Sequence, residues 1–130
     1  MVIKHSKKTK MSFSLKKRAK SFSYAITGIG ILLKTQHNAW IHVLATVGVV
    51  VSGFFFGVSR VEWALLIVAM VMVWLAEALN TSVEFLAAFV CKEQHPLIGK
   101  AKDVAAGGVL IAAIGAAIIG ILVFAPYLSK

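Results

Sequence analysis

Three long runs of apolar residues, separated by short polar segments, dominate the pattern of this chain. The first extends from about Ala39 to Val58, the second from about Glu62 to Val90, and the third from Val104 to about Tyr127. A helix needs about 20 apolar residues to cross the roughly 30 Å hydrocarbon core of a bilayer. Each run is therefore predicted to be a membrane-spanning helix, and the second is longer than one crossing requires.

Residues 13–34 show a different pattern, in which apolar and polar positions alternate at helical spacing. The apolar positions are Phe13, Phe22, Ala25, Ile26, Ile29, Leu32 and Leu33, and Lys16, Lys20, Ser23, Thr27 and Lys34 fall between them. An apolar stripe beside a basic face is typical of a helix that lies in the membrane interface. The predicted fold is therefore an all-α membrane protein, with an N-terminal interfacial amphipathic helix followed by three transmembrane helices.

Short polar segments complete the predicted organisation. Residues 57–60 are expected to form a turn, and residues 91–103 a polar loop in which Pro96 and Gly99 act as helix breakers. Residues 1–12 are polar and basic and are predicted to be a disordered tail. Residues 13–130 then form a single membrane domain.

Composition and charge support this interpretation. Hydrophobic residues make up 59% of the 130 positions, whereas soluble globular proteins contain about 45–50%. The net charge is +9, and eight basic residues lie within the first twenty positions. A basic cluster beside apolar helices indicates attraction to anionic lipid headgroups rather than to nucleic acid. A chain this short cannot enclose a large site alone, so we expect it to share its interior with copies of itself.

The distribution of lysine and arginine predicts the orientation in the membrane. The loop 91–103 contains three lysines, whereas the turn 57–60 contains only Arg60 and the C-terminal tail only Lys130. The basic N-terminus and the 91–103 loop are therefore expected on the cytoplasmic side.

Three polar residues interrupt the second apolar run near its end. Glu77, Asn80 and Glu84 are separated by three and then four residues, so on a helix they share one face. A carboxylate at membrane depth costs on the order of 2.5–3.5 kcal/mol on insertion scales, and such residues are usually functional. Carboxylate and amide oxygens suit a hard cation such as Mg²⁺, so this face predicts a metal-assisted site.

Lys102 and Asp103 are expected at the same cytoplasmic level, where the polar loop meets the third run. In phosphoryl transfer Mg²⁺ neutralises phosphate oxygens, a lysine pairs with them, and a carboxylate takes the proton of the acceptor. The acidic face of the second run together with Lys102 and Asp103 therefore indicates a site for phosphoryl transfer. Neither a G-x-x-x-x-G-K-[ST] loop nor a G-x-G-x-x-G motif is present, so the motifs of soluble kinases do not define this site.

Other interpretations of these polar residues stay open at this point. Glu77 and Glu84 could form salt bridges with Lys100 or Lys102, or could line an ion pathway in a non-catalytic assembly or small channel. Glu62 and Glu93 are expected to be solvated surface charges. The histidines lack metal-ligand spacing and are expected to form hydrogen bonds between elements; they are His37, His42 and His95. Small residues recur every four positions in the third run, at Gly108, Ala112, Ala116 and Gly120, which predicts close helix packing.

The motifs of the second and third runs resemble those of the bacterial integral-membrane diacylglycerol kinase and undecaprenol kinase family. The similarity covers about residues 13–125 and includes "SFSYAITGIG", "NAWIH", "VSRVEW", "AEALNTSVEF" and "HPLIGKAKD". It implies a homotrimer in the bacterial plasma membrane, with sites between subunits at the cytoplasmic surface. It also implies that ATP donates its γ-phosphate to a lipid alcohol. The stretch "IHVLATVGVVVSGFFFGVSRVEW" is closer to the undecaprenol-type members, although no residue decides between undecaprenol and diacylglycerol.

The resemblance also implies roles for individual residues. Glu77 would be the general base, Asn80 would position substrate and phosphates, and Glu84 would hold Mg²⁺. Lys102 and Asp103 would bind the nucleotide. Lys17 and Tyr24 are added to the binding set on the same grounds.

Two positions depart from the family pattern. The family usually has a glutamate, as a second metal ligand, where this chain has Gln36, whose amide oxygen can coordinate without charge. It often has an acid four residues after the metal glutamate, where this chain has Ala88. Fewer charges are expected to weaken cation binding.

Overall fold

The computed structural model describes residues 14–129, which form four helices without any strand among them. They are α1 (Leu15–Thr35), α2 (His37–Phe56), α3 (Arg60–Val90) and α4 (Pro96–Leu128). Helices α2, α3 and α4 are each long and apolar enough to cross a membrane. The all-α fold is therefore confirmed, as are three helices long and apolar enough to span a membrane, while the predicted tail 1–12 lies outside the described residues.

Helix α1 begins close to where the amphipathic pattern begins. Its N-cap, Ser14, accepts a hydrogen bond from the backbone N–H of Lys17, and Gln36 ends it in an extended conformation. The helix runs through Gly28 and Gly30 without interruption. Leu32 is its one buried side chain and fixes its C-terminal half against the rest of the bundle.

The turn between α2 and α3 is closely determined by its sequence. Gly57 has φ +60°, a left-handed conformation that glycine adopts without steric cost. Ser59 and Glu62 then form a capping box, in which each side chain accepts a hydrogen bond from the backbone N–H of the other residue. The hydroxyl of Tyr127 on α4 donates to Glu62 Oε1 at 2.6 Å. The prediction that Glu62 is a solvated surface charge is therefore wrong.

Helix α4 begins eight residues earlier than the apolar run does. The prediction of a polar loop over residues 91–103 is therefore wrong beyond residue 95, and Pro96 starts the helix instead of breaking it. Proline suits the first helical position because the N–H it lacks would have no partner within the helix there. His95 caps this end, since its Nδ1 accepts from the backbone N–H of Leu97 at 3.2 Å. Lys102 and Asp103 consequently lie on α4 and not on a loop.

The buried interior is small and lies mainly near the 57–60 turn. Val58, Leu66 and Val123 form its centre, where α4 runs antiparallel to α3. Gly53 of α2 lies so close to Trp63 that an added Cβ would be 2.5 Å from the indole ring. Many large apolar side chains are exposed instead, among them Phe55 and Phe89 at 80% and 87%. A surface of this kind is suited to lipid or to further protein chains.

The small residues of α4 contribute to helix packing within the subunit only in part. Ala112 is buried, and Ala116 and Gly120 line a cavity of about 90 Å³ that α2, α3 and α4 enclose together. Gly108 borders a separate groove beside Asn80. A Cβ added at Gly108 or Gly120 would meet nothing within 4 Å, so close packing of the ridge within the subunit is limited to the region of Ala112.

Candidate active site at the acidic end of α3

One face of α3 gathers the polar residues that the sequence singled out. Glu77 is 1% exposed, Asn80 is 8% exposed and the adjacent Thr81 is 4% exposed. Glu77 and Leu66 are the two largest side chains that are essentially fully buried. Glu84, two turns further along the same face, is half-buried. The helix thus carries its polar stripe from an enclosed position at Glu77 to an accessible one at Glu84.

Glu77 pairs with a histidine of α2. The distance from His42 Nε2 to Glu77 Oε2 is 3.2 Å. The interpretation of His42 as a residue that forms hydrogen bonds between elements is confirmed. The alternative of salt bridges to Lys100 or Lys102 is not supported in the described subunit, where neither lysine is paired with Glu77 or Glu84.

Three buried polar atoms on this face have no hydrogen-bond partner among residues 14–129. They are Glu77 Oε1, Asn80 Oδ1 and Thr81 Oγ1. A buried polar atom without a partner costs about 1–3 kcal/mol, and more when it is charged. Three such atoms within five residues indicate that something outside the single subunit completes this face. The buried carboxylate oxygen is enclosed, so an incoming group reaches it only when neighbouring side chains move.

Glu84 and Lys102 face the same groove, which has a volume of about 500 Å³ at the junction of α3 and α4. Cys91, Glu93 and His95 also line it. The first turn of α4 forms part of its wall, and a helix N-terminus carries unpaired N–H groups and a positive dipole that favour anions. A carboxylate, an ammonium group and a helix N-terminus around one groove are suited to a cation bound together with phosphates.

The remaining predicted site residues do not reach this groove within one subunit. Asn80 lines a second groove, mostly apolar, between α3 and α4. Asp103 is exposed on α4, and Lys17 and Tyr24 are exposed on α1. Gln36 is half-buried at the junction of α1 and α2. A single subunit therefore brings Glu84 and Lys102 together but does not assemble the full predicted set.

The donor set fits Mg²⁺ only in part. No three side chains of His, Cys, Asp or Glu gather to hold a metal within the described part of the chain. Mg²⁺ commonly binds through one or two carboxylates, with substrate phosphates and waters completing its octahedron. Glu84 in an open groove beside Lys102 meets that requirement, whereas residues 14–129 contain no cluster of three such ligands that could hold the ion alone.

Sequence reasoning missed several residues that the fold adds to the site. Thr81 is buried beside Asn80. Trp74 and Thr46 pack around His42, the hydrogen-bond partner of Glu77. A signal for them was present, because polar residues in an otherwise apolar run have to find partners. His42 and Thr46 are four residues apart and so share one face of α2.

Comparison with known proteins identifies the class of molecule. The sequence pattern of the family described as prokaryotic diacylglycerol kinase matches residues 23–124. The chain is 36% identical over 109 residues to the undecaprenol kinase of Bacillus subtilis, a match that covers 84% of this chain and 89% of that protein. It is 37% identical over 111 residues to the diacylglycerol kinase of Synechocystis sp., covering 84% of this chain and 63% of that protein.

The chain therefore belongs to the prokaryotic diacylglycerol kinase family. This membership confirms the resemblance drawn from the motifs "AEALNTSVEF" and "HPLIGKAKD". It also confirms the predicted enzyme class, a lipid kinase, over the alternative of a non-catalytic channel or assembly.

Proposed function

We propose that this chain is an ATP- and Mg²⁺-dependent kinase that phosphorylates a membrane lipid alcohol, undecaprenol or diacylglycerol, at the cytoplasmic surface of the bacterial plasma membrane. The observation that carries the proposal is the groove in which Glu84 and Lys102 lie together. Glu84 follows the buried Glu77 and Asn80 by seven and four residues, on the same face of α3. The names of the two relatives support both lipid alcohols as candidate substrates.

Each residue has a chemical task in this proposal. Glu77 removes the proton of the lipid hydroxyl, the resulting oxygen attacks the γ-phosphorus of ATP, and ADP leaves with the electron pair of the broken P–O bond. Asn80 holds the hydroxyl and phosphate in line, and Lys102 pairs with phosphate oxygens. Glu84 would hold Mg²⁺, which spreads the negative charge of the phosphates when it is bound.

A homotrimer would complete the site. Gln36, Asp103, Lys17 and Tyr24 do not line the groove of their own subunit, and the apolar surface of the subunit is largely uncovered. Residues from a neighbouring copy could then supply the missing contacts. We expect that mixing inactive Lys102→Ala subunits with inactive Asp103→Ala subunits restores part of the activity, because some sites then combine an intact Lys102 from one copy with an intact Asp103 from its neighbour. If every mixture stays as inactive as its components, the shared-site arrangement is wrong.

The proposed topology places the N-terminus and the groove in the cytoplasm and α1 in the membrane interface. Apolar side chains of α1 such as Phe22 and Ile26 are 72% and 68% exposed, so they are available to insert among lipids. Cys91, the only cysteine, lines the groove. A thiol reagent that cannot cross membranes should label Cys91 in inside-out vesicles but not in intact cells. Labelling in intact cells would reverse the topology.

The decisive test of function is transfer of radiolabelled γ-phosphate from ATP to purified undecaprenol and to diacylglycerol, with and without Mg²⁺. We expect Mg²⁺-dependent product with at least one lipid, and the ratio of the two rates identifies the preferred substrate. A second readout does not need turnover. ATP with Mg²⁺ should slow alkylation of Cys91, because the nucleotide would occupy the groove that this thiol lines. Absence of both product and protection would contradict the proposal.

A further inference from the structure

The buried partner of Glu77 lies outside the set of residues discussed so far for chemistry. His42 is on α2, and its side chain is 15% exposed, against 1% for that of Glu77. It forms the one hydrogen bond that the Glu77 carboxylate makes within residues 14–129. This contact divides the carboxylate into an occupied oxygen, Oε2, and a free one, Oε1.

The direction of this hydrogen bond follows from the role proposed for Glu77. A carboxylate that is about to take a proton is ionised and can only accept hydrogen bonds. Nε2 of His42 must therefore carry a hydrogen and donate it to Oε2. Oε1 is then the oxygen that is left to take the proton of the lipid hydroxyl.

The imidazole ring is itself held from two sides. Trp74 of α3 packs edge-on against it, with ring centroids 5.9 Å apart and planes at 66°. The indole Nε1 donates to Thr46 Oγ1 at 2.9 Å, and Thr46 Oγ1 in turn donates to the backbone carbonyl of His42 at 2.7 Å. Trp74 precedes Glu77 by three residues and Thr46 follows His42 by four, so one face of α2 is joined to one face of α3.

We infer that His42 is a positioning residue for Glu77 in the proposed reaction. By donating from Nε2 to Oε2, it fixes the orientation of the carboxylate so that Oε1 points consistently to where the acceptor hydroxyl must bind. The gain is geometric, because a base has to be within hydrogen-bond reach of the proton it removes. The inference rests on the proposed function, in which Glu77 is the base.

The test compares three substitutions of His42 in the full-length assembled protein. His42→Leu and His42→Asn remove the donor from the position of Nε2, because leucine has no polar group and the asparagine amide is too short to reach. His42→Gln keeps an N–H donor close to that position. We expect the first two to lower kcat by about 10- to 100-fold, with the KM values for ATP and lipid within about twofold of wild type. His42→Gln should lose less than about threefold.

Combination with Glu77→Gln separates positioning from a general packing role. If His42 acts through the Glu77 carboxylate, His42→Leu should cause no further loss in the Glu77→Gln background. A matched control is His37→Leu, since His37 is exposed at the start of the same helix and should keep wild-type turnover. Assembly and melting temperature are recorded for each variant. If leucine prevents assembly, the comparison of asparagine with glutamine makes the same test with two polar amides.

Several results would overturn the inference. Wild-type kcat in His42→Leu, equal losses in the asparagine and glutamine variants, or a further full-size loss in the Glu77→Gln background would each do so. The proposed function would survive any of these results as long as the wild type is active and Glu77→Gln is inactive. A wild-type protein without lipid kinase activity would instead contradict the proposed function, and the inference with it.

Discussion

Helix α3 carries one glutamate in its first turn and another near its middle, and the two differ in their hydrogen bonds to neighbouring groups. In the first turn, Glu62 accepts from Ser59 N–H and from the hydroxyl of Tyr127, and its own N–H is capped. Near the middle, Glu77 has one hydrogen bond, to His42, and an unpaired oxygen. The hydrophobic core lies at the Glu62 end, where Val58, Leu66 and Val123 meet.

In the proposed function, the difference separates a structural acid, Glu62, from a chemical one, Glu77. Glu62 Oε1 accepts from both the Ser59 N–H and the Tyr127 hydroxyl, and so joins the start of α3 to the end of α4. Glu77 is enclosed yet incompletely paired, a costly arrangement that persists where function requires it. The number of unsatisfied atoms therefore tells more about function than the presence of a carboxylate does.

The largest expected effect is on turnover and comes from Glu77→Gln. This change keeps the shape of the side chain but removes the base, which typically contributes about 10²- to 10⁴-fold in rate. We expect turnover to fall by this factor while protection of Cys91 by ATP stays nearly unchanged. Glu62→Gln is the matched control and should keep turnover. Equal activity of the two variants would erase the distinction between the two glutamates.

Glu84→Gln should affect the metal requirement more than the chemistry. Loss of the charged oxygen in the groove should raise the Mg²⁺ concentration at half-maximal rate by about tenfold or more, a scale on which even outer-sphere partners act. Turnover at saturating Mg²⁺ should recover. The measurement is a Mg²⁺ titration of lipid phosphorylation, and an unchanged midpoint would remove Glu84 from the metal site.

Gly53→Ala probes the packed end of the molecule. The new methyl group would meet the Trp63 ring at 2.5 Å, and overpacking of this kind costs about 1–3 kcal/mol. We expect a lower melting temperature in detergent. Gly48→Ala is the control on the same helix, because nothing lies within 4 Å of its added Cβ. If both variants melt alike, the close contact of α2 with Trp63 is absent in the assembled protein.

Tyr127→Phe tests the hydrogen bond to Glu62 and should disturb the structure less than Gly53→Ala does. It removes the hydroxyl that donates to Glu62 Oε1 at 2.6 Å, while the Ser59 N–H continues to serve that oxygen. The melting temperature should fall by less than in Gly53→Ala, and turnover should be unaffected. A loss of turnover would show that this end of α3 is coupled to the chemistry after all.

Gln36→Glu should have the smallest effect and sharpens the assignment of the metal ligands. Glutamate and glutamine are nearly isosteric, so a charged oxygen at this position would raise apparent Mg²⁺ affinity if the side chain faces the site. The gain will be small if Glu84 and the phosphates already suffice. An unchanged Mg²⁺ midpoint means that position 36 does not belong to the metal site.

The helices could be predicted from the sequence because apolar runs and cap residues are local signals. The bounds of α2 and α3 agree with the prediction to within about two residues. The start of α4 could not be predicted from hydropathy, because the segment "PLIGKAKD" is polar and its helix depends on Pro96 at the first position and on the His95 cap. Proline breaks a helix from within but suits its first position, so the residue type alone does not distinguish the two roles.

The candidate site was predictable only along a single helix. The spacing of Glu77, Asn80 and Glu84 places them on one face whatever the tertiary structure is. The partnership of Glu77 with His42 depends on how α2 packs against α3, and 35 positions separate the two residues. No local pattern encodes that register, just as no pattern showed that Tyr127 would meet Glu62.

If Glu77 is the base, as proposed, the burial of its Oε1 has a consequence for which nucleophiles can be phosphorylated. A base open to solvent would activate water as readily as an alcohol, and ATP would be hydrolysed without a lipid product. An enclosed oxygen is reached only when the surrounding side chains move, and a lipid can drive that movement with the binding energy of its apolar chain. Water has no such energy to contribute. Enclosure of Oε1 would thus favour the lipid hydroxyl over water as the nucleophile, although no side chain has to recognise and exclude water.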